Sequence, residues 1–195
     1  MKKYSLLAKL LSGLLLFSIF FSCSKDKNST TGTYYYKATI NNVSYNEPVT
    51  NGASVQSISG VNGTDDVVIY AGIINHVGGT SLSISKGLMH NFTTATQTDL
   101  KNFFATGSYP YSIDAQSGIQ IEWQDSTSKV WSTSFGTGDQ TGSNFQIVSV
   151  TDNPDSSGKY YVKVKATFNC IFYDDLGSAL PVVNGEMVGS YGPLN

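Results

Sequence analysis

The sequence predicts an all-β protein: an antiparallel β-sandwich, with a β-barrel as the alternative, carrying one short helix near residues 97–105. Three observations predict it. From Tyr34 onward, runs rich in Val, Ile, Thr, Tyr and Phe are separated at short spacing by clusters of Gly, Asn, Asp and Ser, the pattern of packed antiparallel strands. Residues 159–173 place Val162, Val164, Ala166, Phe168, Cys170 and Phe172 on one parity and Tyr161, Lys163, Lys165, Thr167 and Asn169 on the other, so one face of that strand is buried and the other wet. At Thr96-Gln97-Thr98-Asp99 the strand pattern breaks and a helical period takes over.

The chain divides into three parts. In residues 1–22, Met1-Lys2-Lys3 supplies a positive start, an apolar run extends from Leu6 to Phe21, and Ser22 is a small residue before Cys23; this is the layout of a secretory signal. The run is shorter than the roughly 20 residues of a spanning helix. Phe20-Phe21-Ser22 resembles a bacterial lipobox, which makes Cys23 the lipid attachment residue and the start of the mature chain. An ordinary signal cut elsewhere and an uncleaved N-terminal anchor are the alternatives. Residues 23–33 are polar and without apolar period, as a flexible tether is. Ser24-Lys25-Asp26 resembles the export signal of surface lipoproteins, which favours the cell-surface side of the bacterial outer membrane over its periplasmic side.

The third part, 34–195, reads as a single domain. Tyr34, Tyr36, Ala38 and Ile40 alternate with Tyr35, Lys37 and Thr39, and Asn41-Asn42 turns the chain into Val43-Ser44-Tyr45, a hairpin. Residues 67–74 are apolar on both parities, Gly78-Gly79 sits in the turn that follows, and Leu82 and Ile84 share a face of 81–85. Thr96 and Asp99 form a capping box, Leu100, Phe103 and Phe104 fall at helical spacing, and Gly107 stands beyond the end. Then Ile119, Ile121 and Trp123 share one parity, residues 125–128 turn, and Trp131, Thr133 and Phe135 share the next. Residues 145–150 form a further strand. After the long strand, Asp174-Asp175-Leu176-Gly177 closes a hairpin to 180–183, with Val188 and Tyr191 extending or covering an edge.

Two motifs carry a resemblance. Ala38-Thr39-Ile40-Asn41-Asn42-Val43-Ser44-Tyr45, and Ala166-Thr167-Phe168-Asn169 leading to Val183-Asn184-Gly185-Glu186-Met187, are similar to segments of small Bacteroidota lipoproteins. Asn42, Val183 and Met187 stand where those proteins carry Gly, Thr and Phe. The resemblance implies a β-sandwich and no activity.

Charge and chemistry narrow the function. With Lys2, Lys3 and Lys9 removed from 12 basic residues against 14 acidic ones, the mature chain carries 9 − 14 = −5, and no Arg occurs anywhere. Nucleic acid is an unsuitable partner for such a surface. With Cys23 acylated, Cys170 has no cysteine to pair with, and its parity makes it a core side chain. His76 and His90 lie outside any triad or zinc spacing. The carboxylate pairs Asp65-Asp66 and Asp174-Asp175 fall in turns, where Asp bonds nearby backbone, and Asp152-Asn153-Pro154-Asp155 lacks the spacing of a calcium loop. Glu122 lies on a polar parity. These patterns predict neither an enzyme nor a bound cofactor or metal. The signal that remains is aromatic: 12 Tyr, 10 Phe and 2 Trp. Exposed rings cover the C–H face of a sugar, so Trp131, Tyr109 and Tyr111 are the candidate ligand-binding residues, while Trp123 belongs to the core. Asp125-Ser126-Thr127 resembles a short bacterial O-glycosylation motif. The expectation is an envelope-anchored ligand-binding module, its partner a glycan; the alternative is a structural subunit of an envelope complex whose partner is another protein.

Overall fold

The computed structural model describes residues 34–48, 54–59, 67–75, 79–91, 94–114, 116–154 and 158–192. The signal, Cys23, the tether, His76 and Asp65-Asp66 lie outside these residues. The described elements are β1 (Tyr35–Ile40), β2 (Val43–Pro48), β3 (Ser54–Ser59), β4 (Val67–Asn75), β5 (Ser81–His90), α1 (Gln97–Phe103), β6 (Gly107–Ser108), β7 (Gln120–Gln124), β8 (Val130–Ser132), β9 (Asn144–Asp152), β10 (Val162–Tyr173) and β11 (Ala179–Tyr191). Every strand pairing is antiparallel, and the sheet is not closed, so the all-β fold is sandwich-like rather than a barrel.

The strand order is β2-β1-β11-β10-β8-β7-β5-β4-β3, with β9 pairing β10 and β6 pairing β9. One residue pair, Tyr173 with Ser132, joins the β10 side to the β8 side. The sheet folds over at this junction. Tyr45 of β2 meets Trp123 of β7 edge to face at 5.2 Å, and the Tyr36 hydroxyl of β1 donates to Thr80 Oγ1, just before β5, at 2.7 Å. Between the two halves, Tyr36, Leu82, Phe104, Ile119, Ile121, Ile147, Phe168, Phe172 and Met187 are almost wholly buried. Each such side chain contributes about 1.5–3 kcal/mol of transfer free energy.

Local chemistry explains the connections. Asn41 and Asn42 both adopt left-handed backbone, with φ of 47° and 65°, which matches the twist of a two-residue hairpin between β1 and β2. In α1, Asp99 N–H donates to the Thr96 hydroxyl at 3.3 Å and Thr96 N–H to Asp99 Oδ2 at 2.8 Å, the expected capping box. The helix ends two residues earlier than the spacing indicated, and Phe104 leaves it to pack at a tilt against Tyr191 with ring centroids 4.4 Å apart. Packing of Leu100 and Phe104 holds a helix too short to persist alone.

The end of the chain departs from the sequence reading. β11 extends well past the expected 180–183 strand and lies between β1 and β10, in the interior of the sheet. Val188 and Tyr191 do extend it, but they cover no edge. Asn184-Gly185 forms a bulge within β11: Asn184 has φ 55°, its N–H donates to Asn169 Oδ1 at 2.9 Å, and the pairing steps from Cys170 with Val182 to Phe168 with Gly185. The expected strand through Thr133 and Phe135 is also cut short. β8 stops at Ser132, because Thr133 spends its hydroxyl on the Ile121 N–H at 3.0 Å and the chain then turns.

Candidate functional site

Lys86 occupies the inward parity of β5, following Leu82 and Ile84. A core-facing lysine is unusual, and the backbone accounts for it. The β4–β5 register shifts between Ile69 and Ala71, opposite Lys86-Gly87, and Gly87 has φ 89°. That bulge tilts the strand so that the lysine stem runs along the wall of the core and its head reaches the rim. A side chain at Gly87 would meet the Gln116 carbonyl at 3.0 Å, so the bulge is fixed sterically as well.

Two rings enclose the ammonium. Lys86 Nζ lies 4.3 Å from the centroid of Phe103, at the end of α1, and 4.1 Å from that of Tyr109, just after β6. Tyr109 is held in place from both ends: its hydroxyl donates to the Ala105 carbonyl at 2.6 Å and its N–H to the Phe145 carbonyl at 3.1 Å. No carboxylate among the described residues lies within ion-pair distance of Lys86. Burial pushes its ammonium down to about 8, while the quadrupoles of the two rings favour the cation. At neutral pH Lys86 is therefore mostly charged, half-buried and without a counter-ion among the described residues.

Behind it is an apolar pocket of about 280 Å³, measured out to open solvent. Ile84, Phe104, Ile119, Phe145, Met187 and Tyr191 are among the side chains that line it. Its enclosed part admits about one water molecule. The open part of the pocket thus lies at the Lys86 end, beside the two rings that flank the ammonium.

The three rings singled out from sequence do not form one platform. Trp131 is 8% exposed. Its Nε1 donates to Asp125 Oδ2 at 3.2 Å, and the Lys129 ammonium covers its face at 4.2 Å from the centroid, so a sugar finds no free ring there. The expectation of an exposed Trp131 is corrected: its strand is too short to carry it clear of the β7–β8 turn. Tyr111 is half-buried, packs edge-on against Phe145 at 6.4 Å, and points its hydroxyl at the carbonyls of Asn144 and Asn169 at 3.3 and 3.2 Å. Burial raises the pKa of that hydroxyl. Of the three, Tyr109 alone packs against Lys86, which lines the pocket. The residues that sequence reasoning passed over are Lys86 and Phe103. The signal for Lys86 was present, a lysine on the parity of Leu82 and Ile84, whereas Phe103 reads only as part of a helix stripe.

The other singled-out groups are structural. Trp123 and Cys170 are buried in the core, and burial raises the Cys170 thiol. Asp174 accepts from the Leu176 and Ser178 N–H groups at 3.0 and 2.6 Å, the turn chemistry expected of it. Asp152 accepts from Gln97 and Lys101 at 3.0 and 2.9 Å. His90 and Glu122 are exposed, and Asp125 holds its turn through the Thr127 and Lys129 N–H groups. Among the described residues, no group of three or more His, Cys, Asp or Glu is placed to hold a metal, and no helix is long and apolar enough to cross a membrane.

No family model, curated protein or solved structure matches the chain.

Proposed function

We propose that this protein is an envelope-anchored ligand-binding module, held to the bacterial outer membrane through lipid on Cys23 and facing outward, whose ligand carries an acidic group. One observation carries the reading: the Lys86 ammonium stands between Phe103 and Tyr109 at a pocket mouth with no carboxylate among the described residues to neutralise it. A cation placed in this way lacks an anion, and a ligand that supplies one gains a charge-assisted hydrogen bond in a partly desolvated setting. Tyr109 and Phe103 hold the ammonium between them, so the ligand is selected by its charge.

Calorimetric titration of the protein with uronic-acid oligosaccharides and with their neutral counterparts tests the reading. Acidic oligosaccharides should bind and neutral ones should bind at least about tenfold more weakly, the loss expected for one charged contact; K86Q should abolish the difference. Flat titrations with both series would overturn it. The anchor is tested separately by metabolic labelling with a tagged fatty acid, which should mark the protein and fail to mark C23S.

The alternative, a structural subunit of an envelope complex, is favoured by one feature. β2 ends the strand order, pairs with β1 alone among the described residues and exposes Val43, so its outer edge is open to a strand from another protein. Cross-linking in cells from a photoreactive side chain at Val43 should then give one dominant protein adduct.

A further inference from the structure

We infer that Lys86 is also the reactive amine of this domain, a site that captures small uncharged carbonyl compounds, short-chain aldehydes in particular, as a reversible imine. The inference concerns the same pocket mouth as the ligand-binding reading and deepens it, but it needs only the amine and its apolar surroundings, not an acidic ligand.

Comparison with four lysines that face carboxylates carries the argument. Lys37 and Lys165 each stand 3.0 Å from Glu186, Lys101 stands 2.8 Å from Asp152, and Lys129 stands 2.7 Å from Asp174. Each of those lysines faces a carboxylate. Lys86 has two rings instead, which stabilise positive charge without accepting a proton, and a stem lying in the wall of an apolar pocket. Desolvation of this kind is how a lysine becomes a nucleophile at neutral pH. With the ammonium pushed down to about 8, roughly a tenth is neutral at pH 7, some 200-fold more than for an ordinary lysine near 10.4. A less basic amine attacks more slowly, so the net preference is on the order of tenfold.

The step balances without a redox partner. The Nζ lone pair forms a bond to the carbonyl carbon as the C=O π pair moves onto oxygen. One proton passes from nitrogen to that oxygen through solvent, giving a carbinolamine. Protonation of the hydroxyl from solvent then lets water leave and the C=N bond form; amine and aldehyde yield imine and one water, and hydrolysis reverses it. The protonated imine keeps the positive charge that Phe103 and Tyr109 favour. An aldehyde's short alkyl chain stays at the pocket mouth, beside the Lys86 stem and the Tyr109 ring.

The experiment is brief exposure of the folded full-length protein to butanal with cyanoborohydride from pH 6 to pH 10, followed by peptide mapping in a mass spectrometer. Lys86 should be alkylated at least about fivefold faster than Lys101, Lys129 or Lys165, its rate should level off above a midpoint near pH 8, and the preference should vanish in urea. Y109L, which opens one side of the enclosure, should raise the midpoint. Alkylation of Lys86 no faster than of the other three lysines, or a preference that survives unfolding, would overturn the inference. The two readings separate cleanly. Selective butanal capture with flat acidic-sugar titrations leaves this inference standing without the ligand-binding one, and the converse pair of results does the opposite.

Discussion

The Lys129 ammonium lies 2.7 Å from the Asp174 carboxylate, and the two side chains are 42% and 1% exposed. A surface lysine thus covers a carboxylate that is out of contact with water. The same lysine lies over the face of Trp131, so one cation closes the corner where β8 meets β10. Replacing it with methionine keeps most of the packing and leaves Asp174 without its cation, a change that destabilises more than a surface ion pair is worth. K129M should lower the melting temperature at pH 7 by several degrees, and the double variant K129M/D174N should recover part of that loss. A thermal melt of the three proteins decides it; a K129M melt identical to the parent would show that the pair does no structural work.

Glu186 supplies the acid-sensitive contact. It stands 3.0 Å from both Lys37 and Lys165, and the Tyr35 hydroxyl donates to it at 2.5 Å. Although burial opposes it, these partners hold the carboxyl down to about 2, and burial together with the carboxylate pushes the Tyr35 hydroxyl up to about 12. A carboxyl with a lowered folded pKa stabilises the fold above its ordinary range and loses that contribution as pH falls. The stability gap between parent and E186Q, on the order of 1 kcal/mol after solvent screening, should be constant above about pH 5 and close between about pH 4 and 2. Denaturant melts at intervals of pH measure it. In the opposite direction, E186Q should move the Tyr35 ultraviolet titration back toward 10.

Lys86 predicts a rise in stability at alkaline pH. Its folded pKa is lowered to about 8, so between about pH 8 and pH 10 the unfolded chain binds more protons at this position than the folded one, and folding gains as pH rises. Relative to K86M, the parent should become more stable across that window, by a margin that grows with pH. Equilibrium unfolding of both proteins at pH 7 and pH 9.5 checks the sign; a gap that does not change would mean the ammonium is as well solvated as any surface lysine.

Gly185 faces Phe168 across the β10–β11 ladder, where a Cβ would come within 2.4 Å of the ring and 2.6 Å of the Phe168 carbonyl. G185A should therefore cost about 1–3 kcal/mol, the range for overpacking in a filled core. F168L relieves the ring contact but not the backbone one, so in a double-mutant cycle F168L should restore part of the loss and no more.

How far the sequence could be read depended on whether a residue's neighbours were local. The capping box of Thr96 and Asp99, the Asn41-Asn42 hairpin, the turn role of Asp174 and the alternation of β10 all depend on contacts within a few residues, and each is found where the pattern put it. The bulge at Asn184-Gly185 was not legible because what selects it is Asn169 and Phe168 on another strand. Trp131 misleads for a related reason. Its parity says nothing of the lysine two residues earlier that folds over it. The Lys86 site joins β5, the end of α1 and the segment after β6, three pieces whose meeting depends on the Gly87 bulge, and no local period announces that.

The pairing of β1 with β11, Tyr35 opposite Val188, has a bearing on biogenesis. A polypeptide is made from its amino end, so β1 and β2 emerge long before the strand that flanks β1 on its other side. Until β11 arrives, the hairpin has one open flank and Tyr36 has no partner layer against which to bury. The domain consequently acquires its final form only when synthesis is nearly finished, and until then its interior stays uncovered.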